Sequence, residues 1–201
     1  MAMLDAICEP DARRRHHHFD AHWSARQELA SMENGGGDEY SIVFSEAGVY
    51  IRGFDHESPM SPFDQVGGEP WPGVIDDVPE VFRSLVEEPA FGLDGTPKVT
   101  ACLWREAGDE RWRAGEVDYD GSEFVPDGAE WLFDLLVVGS PEKYQDWAEG
   151  YFGVPVDLAA VRHVYRLRPL TPAVVSAVNP EMTLDQLGDT ITAIGYPPYG
   201  A

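Results

Sequence analysis

The chain has 201 residues, of which 43% are hydrophobic and 25% charged, a composition typical of a folded globular domain. Asp and Glu number 36 against 14 Lys and Arg, so the formal net charge is −22. A field of that sign repels nucleic-acid phosphates and attracts basic groups. The composition therefore argues against a nucleic-acid ligand. The acidic charge either serves as a solubility surface or favours a basic protein as the partner.

The sequence also argues against several kinds of stabilising or anchoring feature. Its two cysteines, Cys8 and Cys102, lie far apart and form no C-x-x-C motif, so neither a disulfide framework nor a zinc knuckle is expected. No apolar run approaches the ~20 residues that cross a membrane, and the first residues lack a signal-peptide pattern. We therefore expect a cytoplasmic protein with no membrane partner and no cofactor, while the oligomeric state stays open.

The amino-terminal part carries weak structural signals. Residues 1–17, which run into the stretch RRRHHH, are predicted to be a flexible arm. Residues 18–201 are predicted to form one domain, beginning with a helix over about 18–33. Gly35, Gly36 and Gly37 would end that helix.

Two hairpins are predicted in the next hundred residues. In the first, SIVFS (41–45) and VYIRGF (49–54) alternate apolar and polar residues around a turn, and Gly48 suits a left-handed turn position. In the second, VTACLWRE (99–106) pairs with RWRAGEV (111–117). That pairing would make Trp104 and Trp112 cross-strand neighbours.

The carboxy-terminal half is predicted to be mainly helical. In SPEKYQDWAEGYF (140–152), Ser140 can cap a helix whose first position is Pro141, and aromatic residues recur at helical spacing. The run AEWLFDLLVV (129–138) places Trp131 on the apolar face of another helix. Residues 161–168 fit either a strand or a helix. Further helices are predicted at 78–88, after Thr171, and after a capping box formed by Thr183 and Gln186.

Hairpins followed by helices predict an α+β fold. We expect an antiparallel sheet built from the two hairpins and covered by the carboxy-terminal helices.

The stretch Asp55-His56-Glu57-Ser58 is the main candidate site, because it lies where a strand ends and a Pro/Gly-rich loop begins. A histidine flanked by carboxylates has the groups needed for acid–base chemistry. However, an extended backbone would point Asp55 and Glu57 to one side and His56 to the other. The stretch can therefore be a polar turn, a recognition surface or a reaction centre.

An enzyme is one of these alternatives. It would be metal-assisted or acid–base, with His56 as the base and Asp55 or Glu57 as a ligand or orienting group. Its metal would need further donors, and the best in the sequence are His18 and His22, spaced i,i+4 on the helix predicted for 18–33.

Two neighbouring residues bear on how the site is interpreted. Trp71 is bracketed by prolines in EPWPG and can be either an exposed anchor for a partner or a ring folded onto the core. Arg52 precedes the cluster on its strand and can pair with Asp55 or Glu57, which would make the cluster structural.

The pieces GFDHES and YQDWAEGYF resemble a family of small uncharacterised bacterial proteins, and the resemblance extends over about residues 40–197. It implies no activity. The sequence also lacks the P-loop, the dinucleotide-binding fingerprint, the G-x-S-x-G elbow and H-E-x-x-H, which disfavours nucleotide-dependent and standard serine-hydrolase chemistry.

These patterns favour an acidic intracellular binding protein, with an immunity-like or partner-neutralising role as the most concrete version. Its binding surface is expected to comprise five residues: Asp55, His56, Glu57, Ser58 and Trp71. The enzyme centred on Asp55, His56 and Glu57 is the alternative.

Overall fold

A computed structural model describes residues 1–119 and 126–198. These residues form two compact units. The first comprises Met1–Trp23 and the described residues from Asp134 onward, and the second comprises Ser24–Phe133. The chain thus leaves the first unit, completes the second and returns, whereas the sequence predicts one domain after residue 17.

The strands lie in the first 106 residues. They are β1 (His17–Ser24), β2 (Gln27–Glu33), β3 (Glu39–Ser45), β4 (Gly48–Phe54), β5 (Gly92–Leu93), β6 (Thr96–Pro97) and β7 (Ala101–Glu106). In the second unit β2, β3, β4 and β7 are neighbours in that order, and each pair is antiparallel. The short strands β5 and β6 form a separate two-stranded ladder.

The first predicted hairpin is confirmed as β3 and β4, which pair from Glu39↔Phe54 to Ser45↔Gly48. Gly48 has φ +136°, and a Cβ atom there would lie 2.1 Å from the carbonyl oxygen of Arg105. Only glycine fits this turn without a shift of the backbone.

The second predicted hairpin is reduced to a single bridge. Trp104 pairs with Arg113 through two backbone hydrogen bonds of 2.9 and 2.8 Å, rather than facing Trp112. The indole ring of Trp112 is instead 47% exposed, and the guanidinium carbon of Arg105 lies 5.9 Å from its centroid.

Most helices follow the sheet. They are α1 (Ala2–Cys8), α2 (Arg83–Val86), α3 (Ala129–Leu132), α4 (Asp134–Val138), α5 (Pro141–Phe152), α6 (Leu158–Tyr165), α7 (Pro172–Val178) and α8 (Gly188–Ile194). The predicted α+β class is confirmed. None of the helices in the described ranges is long and apolar enough to cross a membrane.

Local capping signals located the carboxy-terminal helices correctly. The hydroxyl oxygen of Ser140 accepts a hydrogen bond from the backbone N–H of Lys143 at the start of α5, and Thr171 caps α7 in the same way. The ambiguous stretch 161–168 belongs largely to α6, whose cap is Asp157.

The prediction of a helix over 18–33 is wrong. These residues form β1 and β2, joined by a turn in which Arg26 has φ 67°. Each residue of β2 pairs with β3, from Gln27↔Ser45 to Glu33↔Glu39. Pairing with the next strand of the sheet thus overrides the weak helical spacing of the apolar residues.

Residues 1–17, predicted as an arm, contain a helix of the first unit's core. Met3, Leu4, Ala6 and Ile7 on α1 are each at most 3% exposed, in a cluster that includes Tyr144 and Val161. The apolar positions of α1 are too few to fold alone, so the helix depends on this packing.

Asp5 of α1 is a fully buried hydrogen-bonding centre. Its Oδ2 accepts the backbone N–H groups of His16 (3.2 Å) and His17 (2.8 Å) and lies 3.0 Å from Nδ1 of His17, while Oδ1 accepts the hydroxyl of Tyr144 at 2.6 Å. Burial alone would raise the pKa of Asp5, but the bonds from His17 and Tyr144 hold it below its ordinary value. We call Asp5, His16, His17 and Tyr144 the buried hub.

Candidate functional site

Asp55 and Glu57 form the turn that ends β4. One carboxylate oxygen of Asp55 accepts the backbone N–H of Glu57 at 2.9 Å, and the backbone N–H of Asp55 donates to Oγ1 of Thr100 at 3.1 Å. Glu57 is exposed, whereas Asp55 is partly buried. The backbone of this stretch is therefore a polar turn, as one of the sequence-based alternatives predicts. Its side chains make further contacts.

Ser58 does not belong to an exposed surface. Its side chain is buried, and its hydroxyl donates to the carbonyl of Pro126 at 2.6 Å and accepts the backbone N–H of Met60 at 3.0 Å. Both bonds hold the loop, so Ser58 has a structural role here.

His56 is paired with a residue that the sequence did not suggest. Its Nδ1 lies 2.7 Å from Oδ1 of Asp38, and the same oxygen accepts the backbone N–H of His56 at 2.9 Å. Asp38 is 7% exposed, whereas the His56 side chain is 43% exposed. Gly37 makes room for the imidazole, because a Cβ atom there would lie 3.2 Å from the ring.

This pairing shifts both pKa values. The hydrogen bond that His56 donates to Asp38 raises the pKa of His56, burial partly opposes this shift, and the charges of Asp38, Glu57 and Asp55 add to it. Burial alone would raise the pKa of Asp38, but hydrogen bonds from His56 and Asn34 hold it below its ordinary value. Each partner thus stabilises the charged form of the other.

Trp131 is the aromatic residue of this site. Its indole N–H donates to Oδ2 of Asp55 at 3.0 Å, and the side chain is 47% exposed. The sequence placed Trp131 on the apolar face of one helix over 129–138, but that run divides into α3 and α4 at Phe133. The division leaves Leu132 and Phe133 buried and turns Trp131 outward.

Trp71 and Arg52 have other partners. The indole N–H of Trp71 donates to the carbonyl of Asp118 at 3.3 Å, and the ring is half-buried. Arg52 pairs with Glu39 at 2.5 Å rather than with Asp55 or Glu57. The cluster at the end of β4 is therefore free of the neutralising arginine that the sequence allowed.

The metal donors suggested by the sequence cannot meet. His18 and His22 lie on strand β1, where four residues span about 13 Å, instead of one helical turn. The prediction of these two as a donor pair is wrong. Within the described ranges, the group able to hold an ion is Asp38, Asp55 and His56, whose ligand atoms all lie within 4.8 Å of one another.

The surface formed by Asp38, Asp55, His56, Glu57 and Trp131 is called the His56 surface below. It combines the exposed Glu57, the partly buried Asp55 and the buried Asp38 with the imidazole of His56, and its half-exposed indole contacts Asp55. Even when His56 is protonated, the net charge of this surface remains negative. That charge suits a cationic group lying on the face of the Trp131 indole.

Comparisons with known proteins do not identify a relative. No family model, curated protein or solved structure matches the chain. We therefore infer a function from the geometry of the His56 surface.

Proposed function

We propose that the protein is an acidic bacterial binding protein that acts inside the cell and holds a basic protein partner, in an immunity-like or partner-neutralising role. The observation that carries the proposal is the Trp131 indole, half-exposed and fixed by its 3.0 Å hydrogen bond to Asp55. A rigid aromatic ring bordered by carboxylates is a typical anchor for a lysine or arginine side chain.

Charge supports the same conclusion at two scales. The net charge of −22 attracts basic partners over a distance and speeds their association. At close range, Asp55 provides a carboxylate that contacts Trp131, exposed Glu57 adds a second carboxylate to the same turn, and the His56–Asp38 pair holds that turn. The resemblance of GFDHES and YQDWAEGYF to a family of small uncharacterised bacterial proteins supports the bacterial setting.

A low-salt capture experiment from the source organism tests this proposal. The double variant Asp55→Asn/Glu57→Gln should lose a basic protein that the wild type retains, because the two carboxylates of the turn that carries Trp131's partner become neutral. The control Glu87→Gln/Glu110→Gln removes the same charge from exposed positions elsewhere in the second unit. It should retain the partner.

Salt dependence and identity complete the test. The captured protein should be basic, and its purified complex should weaken as ionic strength rises. Equal loss in both double variants would show that only net charge matters and would overturn the assignment to the His56 surface. Each variant is compared at equal melting temperature.

An acid–base or metal-assisted enzyme is the second candidate. The favouring observation is that Nδ1 of His56 is held by Asp38 at 2.7 Å, the arrangement that orients an imidazole as a base through its other nitrogen. The three possible ligands Asp38, Asp55 and His56 support the metal version. Stoichiometric retention of a divalent ion after dialysis, lost in His56→Gln, would favour the enzyme over the binding protein.

A further inference from the structure

A second site candidate is a cleft of about 310 Å³ in the second unit. It is lined by residues of β2, β3 and β4 and by the segment around Phe91. A cavity of this size is in the range of small-molecule sites, which combine apolar walls with a few polar groups. Leu29, Met32 and Leu93 contribute apolar groups to its lining.

Arg52 is the buried polar group of this cleft, with a side chain only 4% exposed. Its Nη1 donates to the carbonyl of Lys98 at 2.5 Å, and Nη2 donates to Glu39 at 2.5 Å and to Oγ of Ser41 at 3.2 Å. The guanidinium carbon lies 4.7 Å from the centroid of Phe91. Within the described ranges Nε has no hydrogen-bond partner, so the guanidinium is incompletely satisfied.

The charges around Arg52 are also unbalanced. The ammonium group of Lys98 pairs with the second oxygen of Glu39, so two cations share one carboxylate. Lys98 and Glu39 are only 22% and 16% exposed, and an excess charge in such surroundings is costly unless an anion compensates it. Glu33, opposite Glu39 in the sheet register, is the other carboxylate lining the cleft, and it is exposed.

We propose that this cleft binds a small free carboxylic acid with an apolar body. The ligand carboxylate takes hydrogen bonds from the Lys98 ammonium and from the Ser41 hydroxyl, whose oxygen already accepts from Arg52. Its apolar body lies against Phe91 and Leu93. The exposed carboxylate of Glu33 opposes this anion and limits its affinity.

Binding of defined acids and their neutral analogues tests the proposal. Benzoate and hexanoate are titrated against benzamide and hexanamide, and backbone amide shifts around Phe91 and Ser41 are followed by NMR. Each acid should bind saturably and about tenfold more tightly than its amide, because only the acid balances the buried cations.

Two single substitutions should move affinity in opposite directions. Lys98→Met should weaken benzoate binding by about fivefold or more, since it removes the donor closest to solvent. Glu33→Gln should strengthen it by about twofold, since an exposed like charge is removed. Lys143→Met is the matched control, because Lys98 and Lys143 are the two lysines of the chain, and Lys143 lies in the first unit.

Three outcomes would overturn the proposal. The first is equal affinity of the wild type for an acid and its amide. The second is the absence of a saturable shift up to about 10 mM ligand, which corresponds to a binding free energy weaker than ~3 kcal/mol. The third is a loss of benzoate affinity in Lys143→Met equal to that in Lys98→Met. If Lys98→Met does not fold, Ala90→Trp replaces it, since a large ring at this exposed lining position should block the cleft. The Asp55→Asn/Glu57→Gln variant should bind the acids normally, which separates this site from the His56 surface.

Discussion

The buried hub and the His56 surface contain the same local arrangement in opposite surroundings. In each, one carboxylate oxygen receives both the backbone N–H and the Nδ1 of the same histidine. These contacts are 2.8 and 3.0 Å for Asp5 with His17, and 2.9 and 2.7 Å for Asp38 with His56. The His17 side chain is 4% exposed, whereas that of His56 is 43% exposed.

This difference in burial separates the structural role of the buried hub from the recognition role that we propose for the His56 surface. The carboxylate of Asp5 has a further buried donor in Tyr144, so removing any partner leaves polar groups without water or protein contacts. Asp38 is also covered, but its histidine faces solvent beside Glu57. A change at His56 can therefore be compensated by water, while a change at His17 cannot.

The largest expected effect is from Asp5→Asn. The amide group would place a donor against the donors of His17 or Tyr144, so we expect a loss of at least about 3 kcal/mol in the free energy of unfolding. Urea denaturation measures it. Asp11→Asn is the control, because Asp11 pairs at the surface with Arg13 and should change stability little. Equal destabilisation by both variants would contradict the hub.

Acidification should destabilise the protein through His16. This side chain packs against Trp147 and Tyr151, and its Nδ1 has no partner in the described part of the chain. Burial, with a contribution from the charge of His17, lowers the pKa of His16 to about 4.

The sign follows from the unfolded value of 6.5. Between pH 6.5 and 4 the unfolded chain binds a proton that folded His16 does not, so stability falls as pH decreases, by about 2 kcal/mol after allowance for screening by solvent. The stability of His16→Phe, measured by urea denaturation at each pH, should vary less over this range. An unchanged pH dependence would show that His16 is not responsible.

A smaller loss is expected from Tyr144→Phe. The variant keeps the ring packing and removes the 2.6 Å hydrogen bond to Asp5, which as a bond to a charged group should contribute about 1.5 kcal/mol. In an Asp5→Asn background the same change should cost less, since the charge is already gone. Urea denaturation of the four proteins gives this coupling, and simple additivity would argue against a shared hub.

At the His56 surface, Asp38→Asn should change titration more than stability of the fold. The pKa of His56 lies above 6.5 because Asp38 holds its proton, so the variant should titrate at lower pH. The stability contributed through His56 is fully present below pH 6.5 and is lost as pH rises through its raised folded pKa, whereas that contributed through Asp38 is lost as pH falls through its lowered folded pKa. An NMR titration of the imidazole checks this, and an unshifted pKa would contradict the pairing.

The sequence correctly predicts the elements that are determined by residues close together in the chain. Ser140 and Pro141 fix the start of α5, and the alternation around Gly48 fixes the β3–β4 hairpin. The carboxylate that holds His56 could not be found in this way, because Asp38 is 18 residues away and follows three glycines with no recognisable motif. Spatial pairing alone brings them together.

Trp131 and α1 illustrate the other kind of failure. Helical spacing put Trp131 on an apolar face, but a break at Phe133 reorients it, and such breaks depend on the packing of Leu132 and Phe133 around Gly53. The apolar residues of α1 were too few to indicate a helix, which exists because a core surrounds it.

The most direct test of the recognition role compares two tryptophans of the second unit, Trp131 and Trp112, each 47% exposed. A lysine-rich peptide is titrated at low salt while both indole N–H resonances are followed. We expect the indole resonance of Trp131, which lies beside Asp55, to shift saturably at a lower peptide concentration than that of Trp112, which lies beside Arg105. Added salt should abolish this difference. Parallel shifts of the two indoles, or a stronger response of Trp112, would contradict a recognition surface at His56.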